Sequence, residues 1–177
     1  MLDVSRHFFS KEDVKSFIDQ ISRYKFNTFH WHLTDDNGWR VEIKSLPRLT
    51  EVGAWRVPRN GQFGERALPK QGEAATYGGF YTQEDIREII RFAAERNVTI
   101  VPEIDVPGHS MALIAAYPEL SCRKDPDTKV NPGTDFSEWF GNGTFKMNIE
   151  NALNPSDEKV YEVLDKIFTE LAALFPN

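Results

Sequence analysis

Thr99-Ile-Val-Pro-Glu-Ile-Asp-Val-Pro-Gly-His-Ser110 begins as an apolar, β-branched run and breaks into an acidic loop punctuated by Pro107 and Gly108. The first half reads as a buried strand, expected over 98–104. Its carboxyl end delivers Glu103, Asp105 and His109, two carboxylates and an imidazole on one short stretch. A polar strand end also arises by accident of packing, so the flanking elements decide what this one means.

Upstream, Tyr81, Thr82, Asp85 and Ile86 stand where a hydrophobic staple and a capping box place them, and Ile86, Ile89, Ile90 and Ala93 follow at helical spacing. A helix is expected over 83–96. Phe9, Ser10, Asp13 and Val14 repeat the pattern and open a helix over 11–24, with Val14, Phe17, Ile18 and Ile21 on one face. Between the two helices, Asn27–Leu33 reads as an aromatic-rich strand over 27–33. It runs into Thr34-Asp35-Asp36-Asn37-Gly38-Trp39-Arg40, whose Asn-Gly marks a turn. Leu2–Val4 reads as a short strand. Downstream, Ser110–Ala116 suits a short apolar helix. Asn154-Pro155 looks like a cap with proline at the first helical position, opening a helix over 155–174.

The order β-α-β-α-β-α implies an α/β fold with parallel strands joined by right-handed crossovers. An open doubly wound sheet and a part of a (β/α)8 TIM barrel both satisfy it. The doubly wound fold expects a glycine-rich phosphate loop after its first strand. Here that position holds Ser5-Arg-His-Phe-Phe-Ser10, which contains no glycine. Nucleotide binding is therefore disfavoured.

Parallel α/β folds collect their chemistry at the carboxyl ends of strands. The first strand leads into Arg6 and His7, the second into Asp35, Asp36, Trp39 and Arg40, and the third into Glu103, Asp105 and His109. Three polar strand ends in succession point to a functional face. Two long connections, 46–80 and 118–153, leave from the same face. The first carries Trp55, Tyr77 and Phe80, which suits a binding loop. Arg6 offers a planar fork for hydroxyl or carboxylate oxygens, and a structural ion pair with Asp35 is compatible with that role. Asp105 and His109 are placed to form a carboxylate–imidazole pair that tunes a third group. His30 and His32 share a strand face and, like Asp35-Asp36, have the makings of a metal site. Packed strand histidines, and a turn or an arginine partner for the acids, are the favoured readings.

A net charge of −6 argues against a nucleic-acid partner, because phosphate binding needs an excess of Lys and Arg. No apolar run is long enough for a membrane span, and Met1–His7 lacks the regions of a signal peptide. The lone Cys122 excludes an internal disulfide framework. The sequon at Asn97 lies at a helix–strand junction and the one at Asn142 in a loop; both are weak signals.

Leu-Asp-Val-Ser-Arg-His-Phe (2–8), Phe-His-Trp-His-Leu-Thr-Asp-Asp-Asn-Gly-Trp-Arg (29–40), Tyr-Gly-Gly-Phe-Tyr-Thr-Gln-Glu-Asp-Ile (77–86) and Pro-Glu-Ile-Asp-Val-Pro-Gly-His (102–109) together resemble family 20 glycoside hydrolases, the β-N-acetylhexosaminidases. The motifs run in order over essentially the whole chain. The resemblance implies a (β/α)8 barrel that removes terminal N-acetylglucosamine or N-acetylgalactosamine from glycans with retention. In that chemistry the substrate's own 2-acetamido oxygen attacks the anomeric carbon. An adjacent Asp-Glu pair after the fourth strand orients the acetamido group and supplies the general acid. The resemblance gives Arg6 the ring hydroxyls and Asp35 the support of that contact. It places Asp105 and His109 beside the general acid. It implies no cofactor and no metal, and a secreted, periplasmic or lysosomal parent.

No Asp-Glu dipeptide stands in the expected context: Glu84-Asp85 and Asp157-Glu158 both fall at helix starts, where acids favour the dipole. The expectation is therefore that 1–177 is a single fragment, about the first three βα units of the barrel. Such a fragment lacks the catalytic Asp-Glu pair and is inactive alone. Its open sheet edges favour self-association or require the rest of the barrel. A non-catalytic carbohydrate-binding or complementing piece is the second reading, and a metal-dependent barrel hydrolase using His30, His32 and an aspartate the third.

Overall fold

The computed structural model describes residues 1–176; Asn177 lies outside the described residues. In chain order the first elements are β1 (Leu2–Asp3), α1 (Lys11–Arg23), β2 (Thr28–Asp35), β3 (Gly38–Trp39), α2 (Arg48–Glu51), β4 (Trp55–Arg56) and β5 (Tyr77–Gly78). Then follow α3 (Gln83–Ala94), β6 (Thr99–Ile104), α4 (Met111–Ala116), β7 (Ser137–Trp139), β8 (Phe145–Met147) and α5 (Glu158–Leu174).

β2 is central, with β1 and β6 parallel on either side of it. The register pairs Asp3 with His32, and His32 with Glu103. Because successive side chains alternate across a sheet, this alignment sends two sets of residues to opposite faces. Phe29, Trp31 and Leu33 are all but fully buried on one face. There Phe29 meets Phe17 of α1 at 5.5 Å between ring centroids, and Trp31 meets Tyr81 at 4.8 Å. Each such ring contributes about 2–3 kcal/mol by leaving water. His30, His32, Asp3 and Glu103 fall on the other face, which no helix layer covers. The strands form no closed barrel among the described residues.

The helices lie side by side over the apolar face, α1 next to α3 and α3 next to α5. Their starts follow from the sequence. The Ser10 and Thr82 side chains each accept from the backbone N–H three residues on, and Asp13 and Asp85 reach back to complete both capping boxes. The last helix departs from the sequence reading: Asp157, not Asn154, is its cap, accepting from Lys159 N. Asn154 instead closes the preceding turn by accepting from Ser156 N. An Asx turn competes for the same cap geometry, and here it comes first.

Two further departures concern the connections. Asn37-Gly38 folds the chain straight back, so β3 runs antiparallel to the end of β2 and the sheet is mixed. Gly38 is required by close approach, since a Cβ there would stand 2.2 Å from the Arg40 guanidinium carbon. The long connections are also not featureless. The first contains α2 and the β4–β5 pair, and the second contains the β7–β8 hairpin.

Arg40 ties these parts together. It is fully buried and donates to the carbonyls of Val4, Ser5, Asn37, Ala54 and Gly79. One guanidinium thus sets the exit of β1, the β2–β3 turn and both ends of the β4–β5 loop. Burial, with Arg56 nearby, pulls its pKa down to about 10.

Candidate functional site

The exits of β1, β2 and β6 meet around Asp35, whose side chain is only 1% exposed. Arg6 Nη2 lies 2.6 Å from Asp35 Oδ2, and Arg6 Nη1 donates to Asp3 Oδ2 at 2.8 Å. Asp3 Oδ1 also accepts from the backbone N–H groups of Ser5 and Arg6, fixing the turn that aims the guanidinium. Arg6 nevertheless stays 36% exposed along its side chain. It is held by two carboxylates and still open to a ligand. Asp3 escaped the sequence reading; the signal was its spacing, three residues before an arginine at a strand exit.

His32 sits behind this pair. Its Nε2 is 3.1 Å from Asp35 Oδ2 and its Nδ1 is 2.8 Å from Glu103 Oε2. Glu103 Oε2 is also 2.5 Å from His30 Nε2. These approaches to Glu103 are close charge contacts rather than aligned hydrogen bonds, because Oε2 accepts none. Arg6 Nη1 also lies 3.2 Å from His32 Nε2, yet a carboxylate close to each ring nitrogen favours the imidazolium. Burial alone would lower the His32 pKa, but Asp35 and Glu103 outweigh it and raise it to about 9. Burial likewise works to raise Asp35, yet His32 and Arg6 hold its carboxyl below the usual range. The two histidines are thus carboxylate-paired strand residues.

Asp36 lies next to the His109 imidazole, its Oδ2 3.7 Å from His109 Nδ1, but is hydrogen-bonded toward the second long loop. It is buried and accepts from Met111 N at 3.0 Å and Asn151 Nδ2 at 2.9 Å, both neutral donors. Burial, only partly offset by those donors, pushes its carboxyl up. Two adjacent aspartates are therefore driven apart by their surroundings. Asp36 also ties down the second long loop at two points. Its carbonyl accepts from Asn131 N, and its carboxylate holds Asn151, whose carbonyl accepts from Ser110 N.

His109 has a left-handed backbone, φ 52°, an uncommon conformation for a residue with a side chain. Its ring reaches Asp35, with Nδ1 3.3 Å from Oδ1, and remains 47% exposed. The expected pairing of Asp105 with His109 does not form, because Asp35 takes the imidazole. Among the described residues no donor reaches the Asp105 carboxylate; its backbone N–H donates to Thr34 Oγ1 at 3.0 Å and its carbonyl accepts from Ser110 Oγ at 3.4 Å. Burial raises the Asp105 pKa against the opposing charge of His109. The structure brings Arg6, Asp35 and His109 into one chain of contacts, with Asp105 beside it and unpartnered.

This is a sheet whose three parallel strands end in a partly open cluster of one arginine, three imidazoles and several carboxylates, at the strand ends where α/β folds collect polar-ligand sites. The sequence matches the family described as Glycosyl hydrolase family 20, catalytic domain, over residues 1–177, and the chain belongs to that family. It is 47% identical to the beta-hexosaminidase of Vibrio furnissii over 179 residues, covering 100% of this chain and 26% of that one. It is 51% identical to the beta-hexosaminidase of Porphyromonas gingivalis, covering 100% of this chain and 19% of that one. Among solved structures it is similar to the Streptomyces plicatus N-acetyl-beta-hexosaminidase in complex with Thio-NAglucal, with a TM-score of 0.78 and 38% identity, covering 100% of this chain and 30% of that one. The Vibrio harveyi exo beta-N-acetylglucosaminidase in complex with N-acetylglucosamine gives a TM-score of 0.75 at 47% identity, covering 99% of this chain and 25% of that one. The chain therefore spans about a quarter of the length of the relatives it matches.

Proposed function

We propose that residues 1–177 are the first three βα units of a (β/α)8 barrel and carry the sugar-gripping part of a β-N-acetylhexosaminidase site. The substrate is a glycan ending in non-reducing N-acetylglucosamine or N-acetylgalactosamine, cleaved with retention by attack of its own acetamido oxygen. The observation that carries this reading is Arg6, held by Asp3 and Asp35 and still partly open. A fork preorganised by two carboxylates loses little entropy on donating to the oxygens of ring hydroxyls.

Asp35 supports that contact and, through His109, couples it to the place where a general acid acts. Asp105, uncharged more readily than an ordinary aspartate, lies beside the same place. The general acid and its aspartate partner come from sequence other than these residues, so this chain binds the sugar and does not turn it over. The open edge of β6 takes the next strand of the barrel or, failing that, a second copy.

A metal-dependent reading is disfavoured by the same contacts. Asp35 already faces Arg6 and His32, Asp36 already accepts from two amide donors, and both ring nitrogens of His32 already face carboxylates.

The test pairs calorimetry with an assay. Titration of the chain with N-acetylglucosamine is expected to show binding that Arg6→Gln removes, with no release from an aryl N-acetylglucosaminide. Sugar binding that survives Arg6→Gln, or rapid turnover by purified chain, defeats the proposal.

A further inference from the structure

Beside Arg6 opens a cavity of about 450 Å³ lined by Arg56, Arg59 and Arg66, together with His7 and Tyr77. The charges around it do not cancel. Arg6 is balanced by Asp3 and Asp35, and Arg59 by Glu73. Arg56 and Arg66 have no carboxylate partner among the described residues. Arg56 is 5% exposed yet donates only to the carbonyls of Asn37 and Arg6. Arg66 donates only to those of Gly61 and Pro132. Each guanidinium has five N–H donors, so both hold donors in reserve. The face of Tyr77 supports Arg56, with 4.6 Å from the guanidinium carbon to the ring centroid, and the Tyr77 hydroxyl lies 2.7 Å from His7 Nδ1.

Packing Arg56 and Arg66 together without counter-charges is destabilising, and a chain with 27 acidic residues against 21 basic ones has carboxylates to spare for them. Surface ion pairing would remove that cost at no loss of fold. The arrangement makes physical sense if an anion fills the cavity. Because the cavity shares Arg6 with the sugar site, the anion belongs to the same ligand or one joined to it.

We propose that this cavity is a subsite for an anionic substituent on the amino sugar held at Arg6, either a sulfate ester or an ether-linked carboxylate. Both present planar or tetrahedral oxygens suited to guanidinium forks. The proposal rests on the sugar-binding reading of Arg6 given above.

The test is titration of the chain with N-acetylglucosamine, N-acetylglucosamine 6-sulfate, N-acetylmuramic acid and inorganic sulfate, in low and high salt. At least one anionic sugar is expected to bind about tenfold more tightly than N-acetylglucosamine, with the gain shrinking in high salt. Arg66→Gln is expected to abolish the gain and Arg66→Lys to keep part of it, both leaving N-acetylglucosamine binding unchanged. The two anionic sugars separate sulfate from carboxylate. Equal binding of all three sugars overturns the subsite and leaves the sugar reading standing. Binding of inorganic sulfate with no sugar binding overturns both, as does no binding at all. An anionic gain that survives Arg66→Gln also overturns the assignment.

Discussion

Asp35 lies 2.6 Å from Arg6 and 3.3 Å from His109, so a single buried carboxylate joins the exit of the first strand to the loop after the third. The two groups it links are both partly open, whereas it is not. It holds charge between two partly open residues that the chain places far apart in sequence.

Removing that carboxylate strands Arg6, His32 and His109 around a neutral amide. Asp35→Asn is expected to lower stability by about 3 kcal/mol, in the range for breaking one side of a buried pair. Urea unfolding of the variant beside the wild type measures it. A change below about 1 kcal/mol shows that the site does not depend on this charge.

The elevated His32 sets a pH dependence. Its pKa is about 9 in the fold against about 6.5 in an unfolded chain, so its contribution is complete below pH 6.5 and is lost as pH rises through 9. At most about 3 kcal/mol is at stake. Asp35, held low, contributes above the ordinary carboxylate range and loses that contribution as pH falls through its lowered value. Melting temperature plotted against pH is expected to decline on the alkaline side in the wild type and to flatten there in His32→Gln. Parallel curves for the two proteins would contradict the assignment.

Asn151 clamps one foot of the second long loop to Asp36. Asn151→Ala leaves a buried carboxylate short of a donor and is expected to cost about 1–3 kcal/mol. Hydrogen exchange then shows faster exchange across 131–151, with α1 unaffected. Uniform change along the chain would mean that the clamp is not local.

Gly78 lies against the carbonyl oxygen of Ala54, which a Cβ would meet at 1.9 Å. Gly78→Ala is expected to force the β4–β5 pair apart and to cost at least about 1–3 kcal/mol. Chemical denaturation is the readout, and a neutral result shows that the loop moves freely at that point.

Local signals in the sequence were reliable where one side chain answers to its own backbone. Ser10 with Asp13 and Thr82 with Asp85 form their capping boxes because every partner lies within one turn. Asn154-Pro155 misled because an Asx turn and a helix cap use the same residues, and only the docking of α5 decides between them. The small strands within the long connections carry too little periodicity to be read, and β4 and β5 exist because Arg40 holds their loop from the interior.

The sequence by itself determined the alternation of strands and helices, the charged strand exits, and Arg6, Asp35, Asp105 and His109 as the residues to watch. Those features depend on spacing along one segment, which hydrophobic period and capping chemistry record directly. Which carboxylate takes which cation was decided only by the tertiary structure. The register of β1 and β6 against β2 brings Asp3 and Glu103 level with His32, and the left-handed turn at His109 carries its ring past Asp105 to Asp35. Pairing among charges from separate segments is set by distances across the sheet, and no local pattern of residues encodes them.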